Sequence, residues 1–276
     1  MRISREALLR RTQAGIQRKG LTREGSGAVR KGVHLRGVCE LLARVCIPSP
    51  GWAERLRQEE KRFLRFTKPG TSLGSGISSH RVRNRHPAGR SIGRRVHAEV
   101  CRAVGGGPCS PLAGHILGAL RSKLDLRCVA SEVPVCASFA CGHRRRAIGT
   151  CADLLGVRRG RACVVELKMG QGHFFGRGLP GETMRGPRGL RRLPCTHLRL
   201  AMCQAAVTAA LFERTTGVAE VEAWVAQVSY APVEDGAMGV RVYPVEPEIW
   251  ECRDSLLRHL VHCYDGDLLK RRGVVH

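Results

Sequence analysis

A short hairpin with opposed acids is the part of this sequence best suited to chemistry. Two apolar runs flank Arg159-Gly160, a dipeptide that suits a two-residue hairpin turn. With the turn there, the antiparallel register sets Asp153 opposite Glu166. Because side chains alternate along a strand, Lys168 shares the face of Glu166. This pair of carboxylates predicts a Mg²⁺ site, and the nearby ammonium could orient a water or offset phosphate charge.

A further carboxylate often completes such a metal site, and Glu132 and Glu99 are the candidates. We expect Glu132, which lies between apolar Val129 and Val133, where an unpaired charge would be costly. His97 has two interpretations: support of the site or nucleic-acid contact, or a partly buried helix histidine with one hydrogen bond. A Glu-x-Lys strand also suits a solvated sheet face without catalysis.

The charge of the chain indicates a polyanionic partner. The 276 residues carry a net charge of +24, with a pI near 10.7. Most of the positive excess lies in the first third. Nucleic-acid phosphate is the commonest such partner and an acidic membrane surface the second. Aromatic residues make up 4% of the chain, so base-stacking surfaces are scarce and contact with backbone phosphate is favoured over single-strand stacking.

The chain contains thirteen cysteines. It opens without the apolar segment of a secretory signal, so we expect reducing surroundings and cysteines that pack as small apolar residues. An alternative for two of these cysteines is a structural zinc site, formed by Cys136, Cys141 and His143. It is weakened because the sequence offers no second pair of ligands with C-x-x-C spacing. No apolar run reaches the roughly 18 residues of a membrane span, which predicts a soluble protein.

Apolar periodicity predicts an α/β or α+β fold with a small mixed sheet flanked by helices. Helices are predicted at residues 6–16, 38–45, 94–104, 111–124, 196–214 and 247–264. Strands are predicted at residues 128–135, in the hairpin at 150–168, and at 222–230 and 239–245.

Composition divides the chain into three parts. Residues 1–90, rich in Arg, Gly and Ser, predict a mostly disordered basic arm. Residues 91–265 form the predicted α/β domain, and residues 266–276 a basic tail. The arm suits nucleic-acid binding or nucleolar targeting, and equally a tail without a specific partner.

A Gly-rich basic stretch, residues 169–194, has no hydrophobic period and predicts a mobile loop beside the carboxylates. A solvated loop without a ligand explains the same composition. Five of its arginines are candidates for nucleic-acid contact: Arg177, Arg185, Arg188, Arg191 and Arg192.

The order of Asp153 and Glu166-Leu167-Lys168 resembles the PD-(D/E)XK nuclease superfamily, with Ala152 where that motif often has Pro. More narrowly, the segment from residue 164 to residue 168 resembles the signature of a core herpesvirus family of basic nuclear proteins. That family is the product of the twenty-fourth unique-long reading frame. The resemblance covers about residues 94–245.

Three further segments are similar to that family. They are Arg95-Val96-His97 with Cys101-Arg102, Ser131-Glu132-Val133, and Ala201-Met202-Cys203-Gln204. Cys101 replaces a usual Tyr, Ala205 replaces a usual Leu, and the interval from Glu132 to Asp153 is longer than in the family.

The resemblance implies an endonuclease-like α/β core that uses Mg²⁺ or Mn²⁺ on nucleic acid. It implies metal-side acids at Glu132, Asp153 and Glu166, a water-orienting base at Lys168, and Gln204 closing the site. It further implies residence in the host nucleus and nucleolus, presence in virions, contacts with host nuclear proteins, and arrest of the host cell cycle. Two alternatives stay open: a non-catalytic regulator on a nuclease-like scaffold, and a basic RNA-binding protein of ribosomal type.

Overall fold

Helices and strands follow one another in runs along the chain. The computed structural model describes residues 2–24, 27–66, 85–141, 143–169, 175–229 and 239–271. The helices are α1 (Arg5–Lys19), α2 (Val38–Val45), α3 (Trp52–Phe66), α4 (Arg85–Val104), α5 (Pro111–Leu124), α6 (His197–Thr216) and α7 (Pro247–Arg271). The strands are β1 (Leu21–Glu24), β2 (Gly27–Arg30), β3 (Val33–His34), β4 (Arg36–Gly37), β5 (Leu126–Cys141), β6 (Arg144–Arg158), β7 (Arg161–Met169), β8 (Gly178–Thr183), β9 (Pro194–Thr196), β10 (Glu222–Ser229) and β11 (Gly239–Pro244).

The central sheet is mixed, as predicted. Its strands run in the order β11-β10-β7-β6-β4, and β5 pairs with β6 along the other edge of that strand. The β7–β10 and β4–β6 pairs are parallel, and the others are antiparallel. One apolar cluster joins the sheet to α1, α2, α6 and α7, and a second joins it to α4 and α5. The fold is therefore an α/β sheet with helices on both faces.

The β6–β7 hairpin has the predicted turn and register. Arg159 and Gly160 have φ values of 48° and 78°, the left-handed pair that a two-residue hairpin turn of the primed type requires. Leu154 pairs with Val165, and Arg158 pairs with Arg161. The hairpin prediction is confirmed over these residues.

Helix α6 is the buried centre of the fold. Thr196 caps its start by accepting a hydrogen bond from the Arg199 amide at 3.0 Å. Small side chains let its neighbours approach closely: a Cβ on Gly15 of α1 would lie 2.5 Å from the Thr215 carbonyl oxygen. The packing holds α6 in place over β7, so a side chain such as that of Gln204 reaches the sheet in a defined position.

The N-terminal part requires a correction of the predicted disordered arm. Residues 2–24 and 27–66 form helices and strands, and Leu8, Val38 and Trp52 are buried in the same core as α6. The apolar residues lie on single stripes among many arginines, so average composition hid them. Residues 67–84 lie outside the described residues, and the division near residue 90 stays a prediction.

The stretch predicted as a mobile loop is also partly regular. It contains β8, a 3-10 turn at Leu190–Arg192 and the start of β9, and it buries Met184 and Leu190. These spaced apolar side chains anchor it, although they make no helical or strand period. Residues 170–174 lie outside the described residues.

None of the described helices is both long and apolar enough to cross a membrane.

Candidate metal and catalytic site

Three acids lie at adjacent register positions on three neighbouring strands, β5, β6 and β7. Leu154 pairs with Ser131 on one side and with Val165 on the other. The adjoining residue on each strand carries a carboxylate, and these three residues are Glu132, Asp153 and Glu166. The sheet register therefore brings the predicted acids side by side.

The long interval between Glu132 and Asp153 forms an extension of the β5–β6 hairpin. Pairing runs without interruption from Val133–Ala152 to Cys141–Arg144. Because this extension adds paired residues to both strands together, Glu132 and Asp153 remain side by side on neighbouring strands.

His97 of α4 completes a compact group with two of the acids. Its Nδ1 lies 3.6 Å from Glu132 Oε1 and 3.8 Å from Asp153 Oδ1. One ligand atom from each of the three residues lies within 4.8 Å of the others, a spacing that suits a metal ion. His97 Nε2 is 3.2 Å from the Leu167 carbonyl oxygen, a hydrogen bond that fixes the ring.

The electrostatics of this group favour positive charge between the acids, which a protonated His97 supplies, and a metal bound to Nδ1 would replace that proton. Burial lowers the pKa of His97, but the Glu132 hydrogen bond and the Asp153 charge raise it more, to about 9. Burial and the neighbouring Glu166 charge raise the pKa of Asp153 well above its usual range. Asp153 Oδ2 also accepts a 2.8 Å hydrogen bond from the Leu167 amide, which opposes that rise.

Lys168 links Glu166 to α6. Its Nζ donates to Glu166 Oε1 at 2.7 Å and to Gln204 Oε1 at 2.9 Å. Burial lowers the pKa of Lys168, but the charges of Glu166 and Asp153 raise it more, so the net direction is upward. In this arrangement Lys168 is an ammonium group that offsets negative charge rather than a proton acceptor.

Glu166 has one buried oxygen without a hydrogen-bond partner among the described residues. The residue is 1% exposed, and the oxygen in question is its Oε2. A buried carboxylate oxygen left unpaired is costly, and a cation beside it would remove that cost. The donor set therefore fits a divalent metal.

Glu132 is held in an unusual backbone conformation. Its φ of 50° is left-handed, which costs a residue with a side chain about 1 kcal/mol or more. Arg23 of β1 lies 3.7 Å from its Oε2, and Cys101 Sγ lies 3.8 Å from its Oε1. Strained residues of this kind cluster at functional sites.

The remaining candidates lie in other settings. Glu99 accepts from Arg95 at 2.7 Å and from Ser110 at 2.6 Å, so its carboxylate is already paired. Arg185 and Arg191 line a surface groove with Glu182 and His259. The five candidate arginines, Arg177, Arg185, Arg188, Arg191 and Arg192, are all exposed. Their contact with nucleic acid stays a prediction.

The zinc alternative gains no support from the structure. Among the described residues, the grouped potential ligands are those around Asp153, and they include none of Cys136, Cys141 and His143. All thirteen cysteines are free thiols, and Cys136 is buried, as expected for a small apolar residue.

Sequence reasoning understated two residues of the site. The sequence leaves two interpretations of His97 open, one of them a helix histidine with a single hydrogen bond, whereas the structure places its Nδ1 beside Glu132 and Asp153. Arg23 had no signal at all, since it belongs to the segment expected to be disordered. Both approach Glu132 through tertiary packing across distant parts of the chain.

Comparison with known proteins shows weak likeness only. No family model and no curated protein matches the chain. The solved structure of SSO0001 shares 12% identity and a TM-score of 0.33, covering 91% of this chain and 83% of that one. A candidate exonuclease from Eubacterium rectale shares 12% identity and a TM-score of 0.37, covering 67% of this chain and 69% of that one. Likeness at these levels carries no inference about what this chain does.

Proposed function

We propose that this protein is a metal-dependent nuclease with a PD-(D/E)XK arrangement. The observation that carries the proposal is that Glu132, Asp153 and Glu166 lie side by side on neighbouring strands. Lys168 Nζ lies 2.7 Å from Glu166 Oε1 beside them. Metal-dependent hydrolysis of a phosphodiester uses acids that hold the metal and a cation that offsets charge on the phosphate. This site combines both in a partly buried setting.

His97, Glu132 and Asp153 would hold the metal, while Glu166 lies outside that compact group and would favour a cation through its charge. A divalent ion there would polarise a phosphoryl oxygen and lower the pKa of a bound water. Carboxylate oxygens suit Mg²⁺, and an imidazole nitrogen in the set makes Mn²⁺ a good second choice.

The chain's own residues supply position and charge. Lys168, held between Glu166 and Gln204, presents a fixed ammonium group at the edge of the acids. It offsets the negative charge that develops on the phosphate and donates to the attacking water. His97 stays oriented through its bond to the Leu167 carbonyl oxygen.

The test is cleavage of plasmid, single-stranded and branched DNA and of RNA with Mg²⁺ or Mn²⁺. We expect metal-dependent cleavage by the native chain and at least a hundredfold loss in Asp153→Asn and Lys168→Ala, in line with the loss of a group that stabilises transition-state charge. Glu99→Gln is the matched control and should cleave normally. Cleavage that persists in both site variants would indicate a contaminant and contradict the proposal.

The two alternatives give different results in the same experiments. A non-catalytic regulator should bind neither Mg²⁺ nor Mn²⁺ in calorimetric titration. A plain RNA-binding protein should retain every activity in Glu166→Gln and Lys168→Met, and lose binding when arginines of the N-terminal third become alanine.

The four segments similar to the herpesvirus family support a finer proposal. It places the protein in the nucleus and nucleolus of an infected cell and in virions, with host nuclear proteins as partners and cell-cycle arrest as a consequence. Imaging of the tagged chain in cells, with cell-cycle profiles for native protein and Asp153→Asn, tests this. Exclusion from the nucleus would contradict it.

A further inference from the structure

We propose that a cavity beside Lys168 binds one unpaired base of the nucleic-acid substrate. The proposal rests on the proposed nuclease function and specifies its substrate. The cavity has a volume of about 260 Å³ and lies between α2 and α6. Its wall is mainly apolar, with Leu42 and Ile47 on one side and Leu200 on the other.

Two aromatic rings in the wall are already held in place. His197 packs edge-on against Trp52, with ring centroids 5.1 Å apart, and Phe175 packs against Tyr243 at 6.1 Å. Burial and the charge of Arg57 lower the pKa of His197 to about 4, so the ring is uncharged near neutral pH. Rigid uncharged rings and apolar walls suit a flat heterocycle better than a phosphate or a free sugar.

The cavity shares residues with the candidate catalytic site. Lys168 and Gln204 line it, and Lys168 Nζ is bonded to Glu166. Because Gln204 Oε1 accepts from Lys168, its amide nitrogen remains to donate to the edge of a base. A base in the cavity would set its own phosphate beside Lys168, next to the acids.

The walls of the cavity decide the state of the base. A space of about 260 Å³ lies below the range of roughly 300–1,000 Å³ for drug-sized ligands, so it suits a ligand as small as one base. A base held between the walls formed by α2 and α6 has left its stack and its pairing partner, so it is unstacked and unpaired when the cut is made. Single strands, chain ends and branch points would be preferred to intact duplex.

The first experiment measures binding without cleavage. The full-length Asp153→Asn chain, without metal, is titrated with thymidine 5′-monophosphate and with 2-deoxyribose 5-phosphate, which has the same phosphate but no base. We expect the nucleotide to bind about tenfold more tightly, the contribution of one stacked base. Equal affinities would overturn the proposal.

A cavity-filling variant locates that base-dependent binding. Ala43 is exposed at the cavity wall, so Ala43→Trp fills the space without disturbing the core. In the Asp153→Asn chain it should abolish the difference between the two probes. Ala14→Trp, at an exposed position on α1, is the matched control and should leave the difference intact. A difference that survives Ala43→Trp would place the base elsewhere and contradict the proposal.

Cleavage separates this proposal from the function it rests on. An oligonucleotide with one abasic residue at the cut position should be cleaved about tenfold more slowly by the native chain. Cleavage that depends on metal and Asp153 but ignores the missing base would reject the cavity proposal alone. Base-dependent binding without any cleavage would uphold the cavity and reject the nuclease.

Discussion

At the scale of residues, the site is a balance of buried charges. Asp153 and Glu166 repel each other, while His97 and Lys168 supply compensating protons and charge. The unpaired Glu166 Oε2 shows that this compensation is incomplete among the described residues. A site in this condition gains from a divalent cation, because the ion pairs with several oxygens at once.

Glu166→Gln should lower the pKa of Asp153, because it removes the like charge that helps burial to raise it. The measurement is a pH titration of the Asp153 carboxyl by NMR in metal-free protein. Glu99→Gln removes an acid that is paired with Arg95 and Ser110 and should leave the Asp153 titration unchanged. An Asp153 pKa that stays the same in Glu166→Gln would show that the two acids are not coupled.

His197 predicts a loss of stability in mild acid. Its pKa is lowered from 6.5 in an unfolded chain to about 4 in the fold, so the unfolded state binds more protons between these values. The free energy of unfolding should fall as pH drops from about 6.5 to about 4, by at most about 1.4 kcal/mol per pH unit from this group. Urea unfolding at several pH values measures it.

His197→Gln should flatten that part of the pH profile, because glutamine does not titrate. Ala14→Gln, at an exposed position on α1, removes no titratable group and should leave the profile as it is in the native chain. If the native profile shows no fall between pH 6.5 and 4, or if His197→Gln retains it, His197 is not the group responsible.

At the scale of elements, the N-terminal helices belong to the core that supports the site. Leu8 of α1 is fully buried, and Leu9 beside it is partly exposed. Leu8→Ala should lower the free energy of unfolding by about 2–5 kcal/mol, the range for a buried leucine. Leu9→Ala should cost clearly less. Chemical denaturation of both variants measures the difference. Equal small losses would mean that α1 does not pack in the core and would support a disordered N-terminal arm.

Elements with strong local signals were predictable from the sequence. The β6–β7 turn, α5 with its apolar stripe, and β10 and β11 lie close to their predicted ranges, because turn residues and periodicity act within a few positions. Helix α3 and strands β1 to β4 were missed. Their short apolar stripes form only against partners far along the chain, so local composition resembles that of a disordered arm.

At the scale of the whole molecule, a metal that binds the folded chain must also stabilise it. Mn²⁺ at about one hundred times its dissociation constant should raise the free energy of unfolding by roughly 2.7 kcal/mol. Thermal denaturation with and without Mn²⁺ measures the effect, and a chelator should reverse it.

Asp153→Asn should abolish this stabilisation, because it removes one of the three side chains that would bind the metal, the others being His97 and Glu132. Glu99→Gln should retain the stabilisation. Stabilisation of equal size in Asp153→Asn would place the bound metal at another site.

The sequence by itself determined the hairpin, its register and the opposition of Asp153 and Glu166. These follow from turn chemistry and the alternation of strand side chains, which are local. Only the tertiary structure decided that Glu132 lies beside Asp153 although the β5–β6 hairpin between them is long. It also decided that His97 and Arg23 approach Glu132. It further decided that α6 sets Gln204 on Lys168. Those contacts join segments far apart in the chain, and packing of α4, α6 and the N-terminal strands on one sheet brings them together.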